Sequence, residues 1–159
     1  MTLSAEQKFP GVPAAARSAR AFVAALVTDE SLRDMTILAV SELATNAIQH
    51  SRSGLPGGTF TVYVEVANGD SDKAWSYVEV TDQGGGPIPL DDHGVPADAV
   101  DGRGLGIVRA LAAAWGVTPH RDGHRVWGHF EGEAASSARE VWEAPVLADE
   151  PPSRCATPP

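Results

Sequence analysis

The stretch SELATNAIQH, residues 41–50, decides how this 159-residue chain is read. Glu42 and Asn46 stand four apart, about 40° from each other around a helix, so a carboxylate and an amide share one face. Leu32, Met35, Ala39, Leu43 and Ala47 recur at helical spacing, which predicts a helix over 32–50 with that stripe toward a core. Asp29 or Ser31 can cap its start. Glu42 and Asn46 fall at the margin of the stripe, whereas Asp34, Ser41 and Thr45 point more nearly away from it. A carboxylate in such a crevice can take a proton from an attacking hydroxyl, and an amide oxygen is a hard ligand suited to Mg2+. The pair alone is equally what an exposed helix carries. His50 continues the same face at the helix end, where a structural or capping role is the ordinary one.

Upstream, residues 1–12 read as a short lead. Pro13 then opens a helix over 13–28 marked by Ala15, Ala19, Phe22, Val23 and Leu26. Downstream, the Ser/Gly/Pro cluster at 51–58 ends the second helix. Phe60, Val62, Val64 and Val66 alternate with Thr61, Tyr63 and Glu65, the period of a half-buried strand. After a turn at 68–72, a returning strand over 75–82 puts Val78, Val80 and Asp82 on one face and Trp75, Tyr77, Glu79 and Thr81 on the other. Asp82 therefore ends a core-facing apolar row, where a carboxylate without a partner is costly. The exocyclic amine of adenine is one partner, with Gly84 and Gly86 letting the backbone approach the base closely. Local turn bonds, the common fate of an Asp before Gly, are the other reading.

Residues 84–102, rich in Gly, Pro and Asp, read as a long functional loop. Gly102, Gly104 and Gly106 of GRGLG precede a helix over 104–114, so backbone N–H groups and the Arg103 charge can face phosphates. A flexible turn into a helix carries the same glycines. A Rossmann fingerprint requires a strand immediately before it, and the lysine of the Walker pattern is absent. Two last strands, 115–120 and 124–131, flank a turn at Asp122-Gly123. Beyond them the chain is mostly Ala, Ser, Glu and Pro, relieved by Val141, Trp142, Val146 and Leu147, and reads as a mobile tail. One domain at 1–131 and a tail at 132–159 result.

Composition narrows the partners. Twelve basic against twenty-one acidic side chains give a net charge of -9, which repels a phosphate backbone and argues against direct nucleic-acid binding. The single Cys155 fits a reducing compartment, and the apolar runs are too short for a membrane span, so a cytoplasmic chain without a membrane partner is expected.

Taken in order, the acid–amide helix, Asp-x-Gly-x-Gly at a strand end, a lid and Gly-x-Gly-x-Gly at a helix start resemble the GHKL superfamily of ATP-binding domains. Glu42 and Asn46 match its N box, Asp82 to Gly86 its first glycine box, and Gly102 to Gly106 its second, over about residues 9–131. The resemblance implies an α+β, two-layer α/β sandwich of the Bergerat type, with a mixed, mostly antiparallel sheet and helices on one face. It implies ATP and Mg2+ as cofactors, with Asn46 on the metal, Asp82 selecting adenine, and Gly84, Gly86, Arg103, Gly104, Leu105 and Gly106 around the nucleotide. A short lead and one helix before the N box leave no room for a sensor kinase's dimerisation helices. Among the branches, the chain is most similar to the anti-sigma factor serine-protein kinases. Glu42 would then be the general base toward a serine of an anti-anti-sigma protein, and Arg20, in SARAFV, would contribute to partner contact or transfer. A sigma factor is the second partner implied, and family analogy suggests a homodimer. A binding module that uses ATP only as a structural ligand, and a slow ATPase, are the alternatives. Many relatives resemble Gly-x-Thr-Val-Trp near the last strand, where this chain has Arg125 at the Thr position, so Arg125 either faces solvent or reaches the nucleotide.

Overall fold

The computed structural model describes residues 1–68, 74–85 and 103–132. In chain order the elements are β1 (Thr2–Pro10), α1 (Pro13–Leu26), α2 (Glu30–His50), a 3-10 turn (Arg52–Gly54), β2 (Thr59–Ala67), β3 (Trp75–Thr81), α3 (Arg103–Leu111), β4 (Ala114–His120) and β5 (Gly123–Glu131). The strands form one sheet in the order β1-β2-β3-β5-β4, and all four described pairings are antiparallel, where a mostly antiparallel sheet was expected.

Asp29 caps α2, its Oδ1 accepting the Leu32 N–H at 3.0 Å, which satisfies one of the amides a helix start leaves without a partner. The stripe Leu32, Ala39, Leu43 and Ala47 is buried as expected, and Met35 is half-buried against it; Thr36, Val40 and Ala44 widen the buried face. Alternation in β2 buries Phe60, Val62, Val64 and Val66, opposite Val78 and Val80 of β3 and Val126 and Phe130 of β5. The helices lay their apolar sides on this surface, giving the two-layer α+β sandwich. One polar link crosses the core: the Thr36 and Ser76 hydroxyls are 2.6 Å apart, and Thr36 also donates to the Leu32 carbonyl, so both hydroxyls are satisfied without water.

One reading of the sequence needs correction. Residues 1–12 are not a lead: Thr2–Pro10 form an edge strand paired along its whole length with β2, Phe9 against Phe60 with their rings stacked at 5.5 Å. Only Phe9 of this strand is buried, so ladder hydrogen bonds define it and no apolar alternation announces it. Both faces of β3 are dry, Tyr77 and Glu79 being as buried as Val78 and Val80. Boundaries moved slightly: α1 ends at Leu26, α2 begins at Glu30, and α3 closes at Leu111 because the Ala113 N–H turns to the His129 carbonyl as β4 begins. The lid and tail readings fall on 86–102 and 133–159, outside the described residues. Among the described residues no helix is long and apolar enough to cross a membrane.

Candidate nucleotide site

Asp82 follows the last residue of β3 and keeps the parity of Val78 and Val80, so its carboxyl enters the helix side of the sheet. Its Oδ1 accepts two backbone N–H groups, Gly84 at 2.7 Å and His124 at 3.2 Å, and the Asp82 N–H donates to the His124 carbonyl at 2.9 Å. The local-turn reading of this residue is visible in these bonds. Oδ1 makes the local turn, while Oδ2 receives no hydrogen bond from the described residues and is left for a ligand donor. Asp82 is 9% exposed, so that open acceptor sits in a nearly dry place where a hydrogen bond counts for more than in water.

Close backbone approach makes this turn possible. Gly84 and Gly85 adopt φ of +66° and +109°, which side-chain-bearing residues rarely tolerate. Gly123, opening β5, lies so near that a Cβ there would stand 2.0 Å from the Asp82 carbonyl oxygen.

The end of α2 grips the same loop. Arg52 donates from its backbone N–H to the Gly84 carbonyl at 2.5 Å, and from Nε and Nη2 to the Gln83 carbonyl at 3.1 and 2.9 Å. Gln83 donates its N–H to the Ser53 Oγ at 3.0 Å, and its side-chain oxygen accepts the Thr59 N–H at 2.9 Å. These bonds fix the Asp82 loop to the turn that ends the Glu42/Asn46 helix, so the two halves of the motif set hold one relative position. Sequence reasoning had seen only a turn cluster at 51–58. The missed residues Arg52 and Ser53 act on carbonyls and amides about thirty positions away, which no local pattern marks.

On α2, Glu42 and Asn46 are half-buried between the buried Leu43 and Ala47, and among the described residues neither side chain has a hydrogen-bond or ion-pair partner. The helix packs on β3 and α3. Arg103 begins α3, with Gly104, Leu105 and Gly106 in its first turn. Leu105 packs half-buried against the core, whereas the position a Cβ would take on Gly106 has no atom within 4 Å, so nothing in the packing demands that glycine and its backbone stays open. Gly86 and Gly102 lie outside the described residues. His50 is exposed at the end of α2.

Arg20 stands elsewhere. Its Nη1 donates to the Ser41 Oγ at 3.1 Å in an open groove between α1 and α2 lined by Arg20, Asp34, Ile37, Leu38 and Ser41. Arg125 is paired in the sheet with Thr81, on the face away from Asp82, and its Nε lies 3.5 Å from the Glu79 Oε1. It neither faces open solvent nor reaches the nucleotide cleft. The β5 side chain beside Asp82 is His124, whose Nδ1 is 3.7 Å from Oδ1, a neighbour that the comparison with Gly-x-Thr-Val-Trp placed one residue too far along.

The donor set suits a cation brought in on phosphates. Among the described residues no group of three His, Cys, Asp or Glu side chains could hold a metal unaided. A magnesium ion that takes most ligands from a nucleotide and water needs only one protein oxygen, which the Asn46 amide can supply.

Residues 7–127 match the family model described as a histidine kinase-like ATPase domain. No curated protein matches the chain. Domains of the matched description bind ATP with Mg2+.

Proposed function

The chain belongs to the histidine kinase-like ATPase family, and on that premise we propose that it binds Mg-ATP between α2, the Asp82 loop and α3 and acts as an anti-sigma factor with serine-protein kinase activity. The observation that carries the nucleotide reading is the divided carboxylate of Asp82: one oxygen is saturated by the backbone and the other is open in a nearly buried position. An amino group such as that of adenine matches it. Asn46 would hold the magnesium, and the amides opening α3 would meet the phosphates, where a helix start favours negative charge.

The transfer reading rests on Glu42, one helical turn from Asn46 and without a protein partner among the described residues. Glu42 would take the proton of a serine hydroxyl as the oxygen–γ-phosphorus bond forms and the bond to the β,γ-bridging oxygen breaks, releasing ADP. The groove at Arg20, with Leu38 39% exposed beside it and Ser41 next to Glu42 in sequence, suits a protein partner, here an anti-anti-sigma protein or the sigma factor.

Calorimetry with Mg-ATP on wild type and Asp82→Asn tests the binding half. Asn can keep its oxygen toward the two backbone N–H groups, but then turns an amide NH2 toward the base amine. Affinity should fall about ten- to hundredfold; equal binding by the two proteins would refute the assignment. For the transfer half, labelled ATP should mark the antagonist's serine with wild type and not with Glu42→Ala, while both bind nucleotide. Binding without any transfer by wild type would leave an ATP-dependent binding module.

A further inference from the structure

The two edges of the sheet are unequal. β4, at one edge, has seven residues, and Pro119 near its end has no N–H to offer a further strand. β1, at the other, runs for nine residues, all paired with β2 on its inner side, and among the described residues nothing pairs with its outer side. A proline in a ladder turns its nitrogen outward, so Pro10 sets the parity: the backbone groups of Ser4, Glu6 and Lys8 point away from β2, and those of the odd-numbered residues point toward it. The Gly11 N–H, which donates to the Gly58 carbonyl at 2.8 Å, continues that alternation. A row of unpaired N–H and C=O groups of this length is a template for another strand. Beside it on the helix side, α1 packs through Phe22, whose ring meets Phe9 at 6.0 Å. The flank of α1 away from Arg20 is exposed and made of small residues, Ala14, Ser18, Ala21 and Ala25, and Leu3 of β1 is 44% exposed on the same side of the sheet.

We propose that β1 pairs with β1 of a second copy of this chain, antiparallel about a two-fold axis at Gln7, so that one sheet runs through both protomers. Side-chain parity allows only registers centred on a residue, because a slip of one sets every helix-side residue against a far-side one. Among these, the register about Gln7 puts Glu6 opposite the partner's Lys8, and the two-fold axis makes that opposite-charge pair twice. Registers about Glu6 or Lys8 set like charges face to face, and one about Ala5 leaves both charges without an opposite. Glu6 and Lys8 are both exposed on the far face, beside Tyr63 and Thr61 of β2, so the core makes no use of their charges. Joining the sheets in this way keeps the helices on one side and turns the two α1 flanks toward each other, where small side chains let helices come close. Charge does not oppose the contact: residues 1–28 carry Glu6 against Lys8, Arg17 and Arg20, so the acids behind the net charge of -9 lie elsewhere. A strand of another protein would meet the same backbone groups, but the Glu6/Lys8 pattern is complementary to itself, which favours a second copy.

This pairing uses no residue of the nucleotide cleft and is independent of that reading. Sedimentation equilibrium on the full chain, at a series of concentrations, tests it. Wild type should approach twice its 16.6 kDa chain mass. Glu6→Lys and Lys8→Glu each set like charges across the axis and should raise the dimer dissociation constant about tenfold or more. Circular dichroism should stay unchanged, because both side chains are exposed. Mixed in equal amounts, the two variants regain opposite charges at both pairs and should form a heterodimer as tight as the wild-type dimer. The chain carrying both exchanges should likewise recover the homodimer. A wild type that stays monomeric at every concentration overturns the proposal. So does a dimer indifferent to both exchanges, since another surface would then join the copies, and so do weakened variants that fail to recover on mixing.

Discussion

Buried His129 gives the far face of the sheet a measurable pH dependence. Its imidazole is 4% exposed in the middle of β5, against the Trp75 ring at 5.5 Å, and burial lowers its pKa from 6.5 to about 4. The carboxylate facing it, Glu131 Oε1, is 4.0 Å from Nδ1, too far for a hydrogen bond, and does not offset the desolvation. A histidine whose pKa is depressed in the folded chain binds fewer protons there than when unfolded. Its contribution is fully present above pH 6.5 and is lost as pH falls toward 4. With 1.36 kcal/mol for each unit between the two values, the full loss is about 3 kcal/mol, of which about 2 kcal/mol is gone by pH 5.

Many carboxylates titrate over the same range, so the informative quantity is a difference. Urea unfolding of wild type and His129→Gln at pH 7.5, 6.5, 5.5 and 5.0 gives the stability gap between them, and that gap should shift against wild type by about 2 kcal/mol from pH 7 to 5. The His129 ring-proton resonances should show no titration above pH 5. A gap that stays flat with pH, or a ring that titrates near 6.5, would refute the claim that this face is dry.

Arg52→Ala removes the two guanidinium bonds to Gln83 and should weaken ATP binding about three- to tenfold in calorimetry, with Arg52→Lys intermediate and the circular dichroism unchanged; undiminished affinity would mean that the clamp does not position Asp82. Gly123→Ala forces a methyl group to within 2.0 Å of the Asp82 carbonyl oxygen and should lower stability by about 1–3 kcal/mol in thermal unfolding, along with nucleotide affinity.

The readable parts of this molecule are those whose physics is local. Helical spacing in 32–47 and alternation in 60–66 report which side of an element is dry, and both appear as buried rows in the fold. The parity of Asp82 with Val78 and Val80 was enough to put a carboxyl on the helix side. What stayed illegible depends on residues far apart in sequence. β1 is an edge strand defined by its ladder, and Arg52 and Ser53 earn their role only once the chain has brought Gln83 beside them. Arg125 shows the same limit at its sharpest. Aligned by motif it belongs to the base, yet strand alternation assigns that place to His124 and sends Arg125 through the sheet to Glu79.

That alternation ties the two faces together. Thr81 and Arg125 are a register pair on the far side of the sheet, and the next step along each strand, Asp82 and His124, lies at the candidate nucleotide site on the helix side. A strand cannot shift one of these pairs without moving the other, because neighbouring side chains on opposite faces share one backbone. The packing of Tyr77, Trp127 and Arg125 therefore bears on the geometry of Asp82. Glu79→Gln, which weakens the contact to Arg125 on the far face, should therefore lower ATP affinity in calorimetry, although it touches no residue of the cleft.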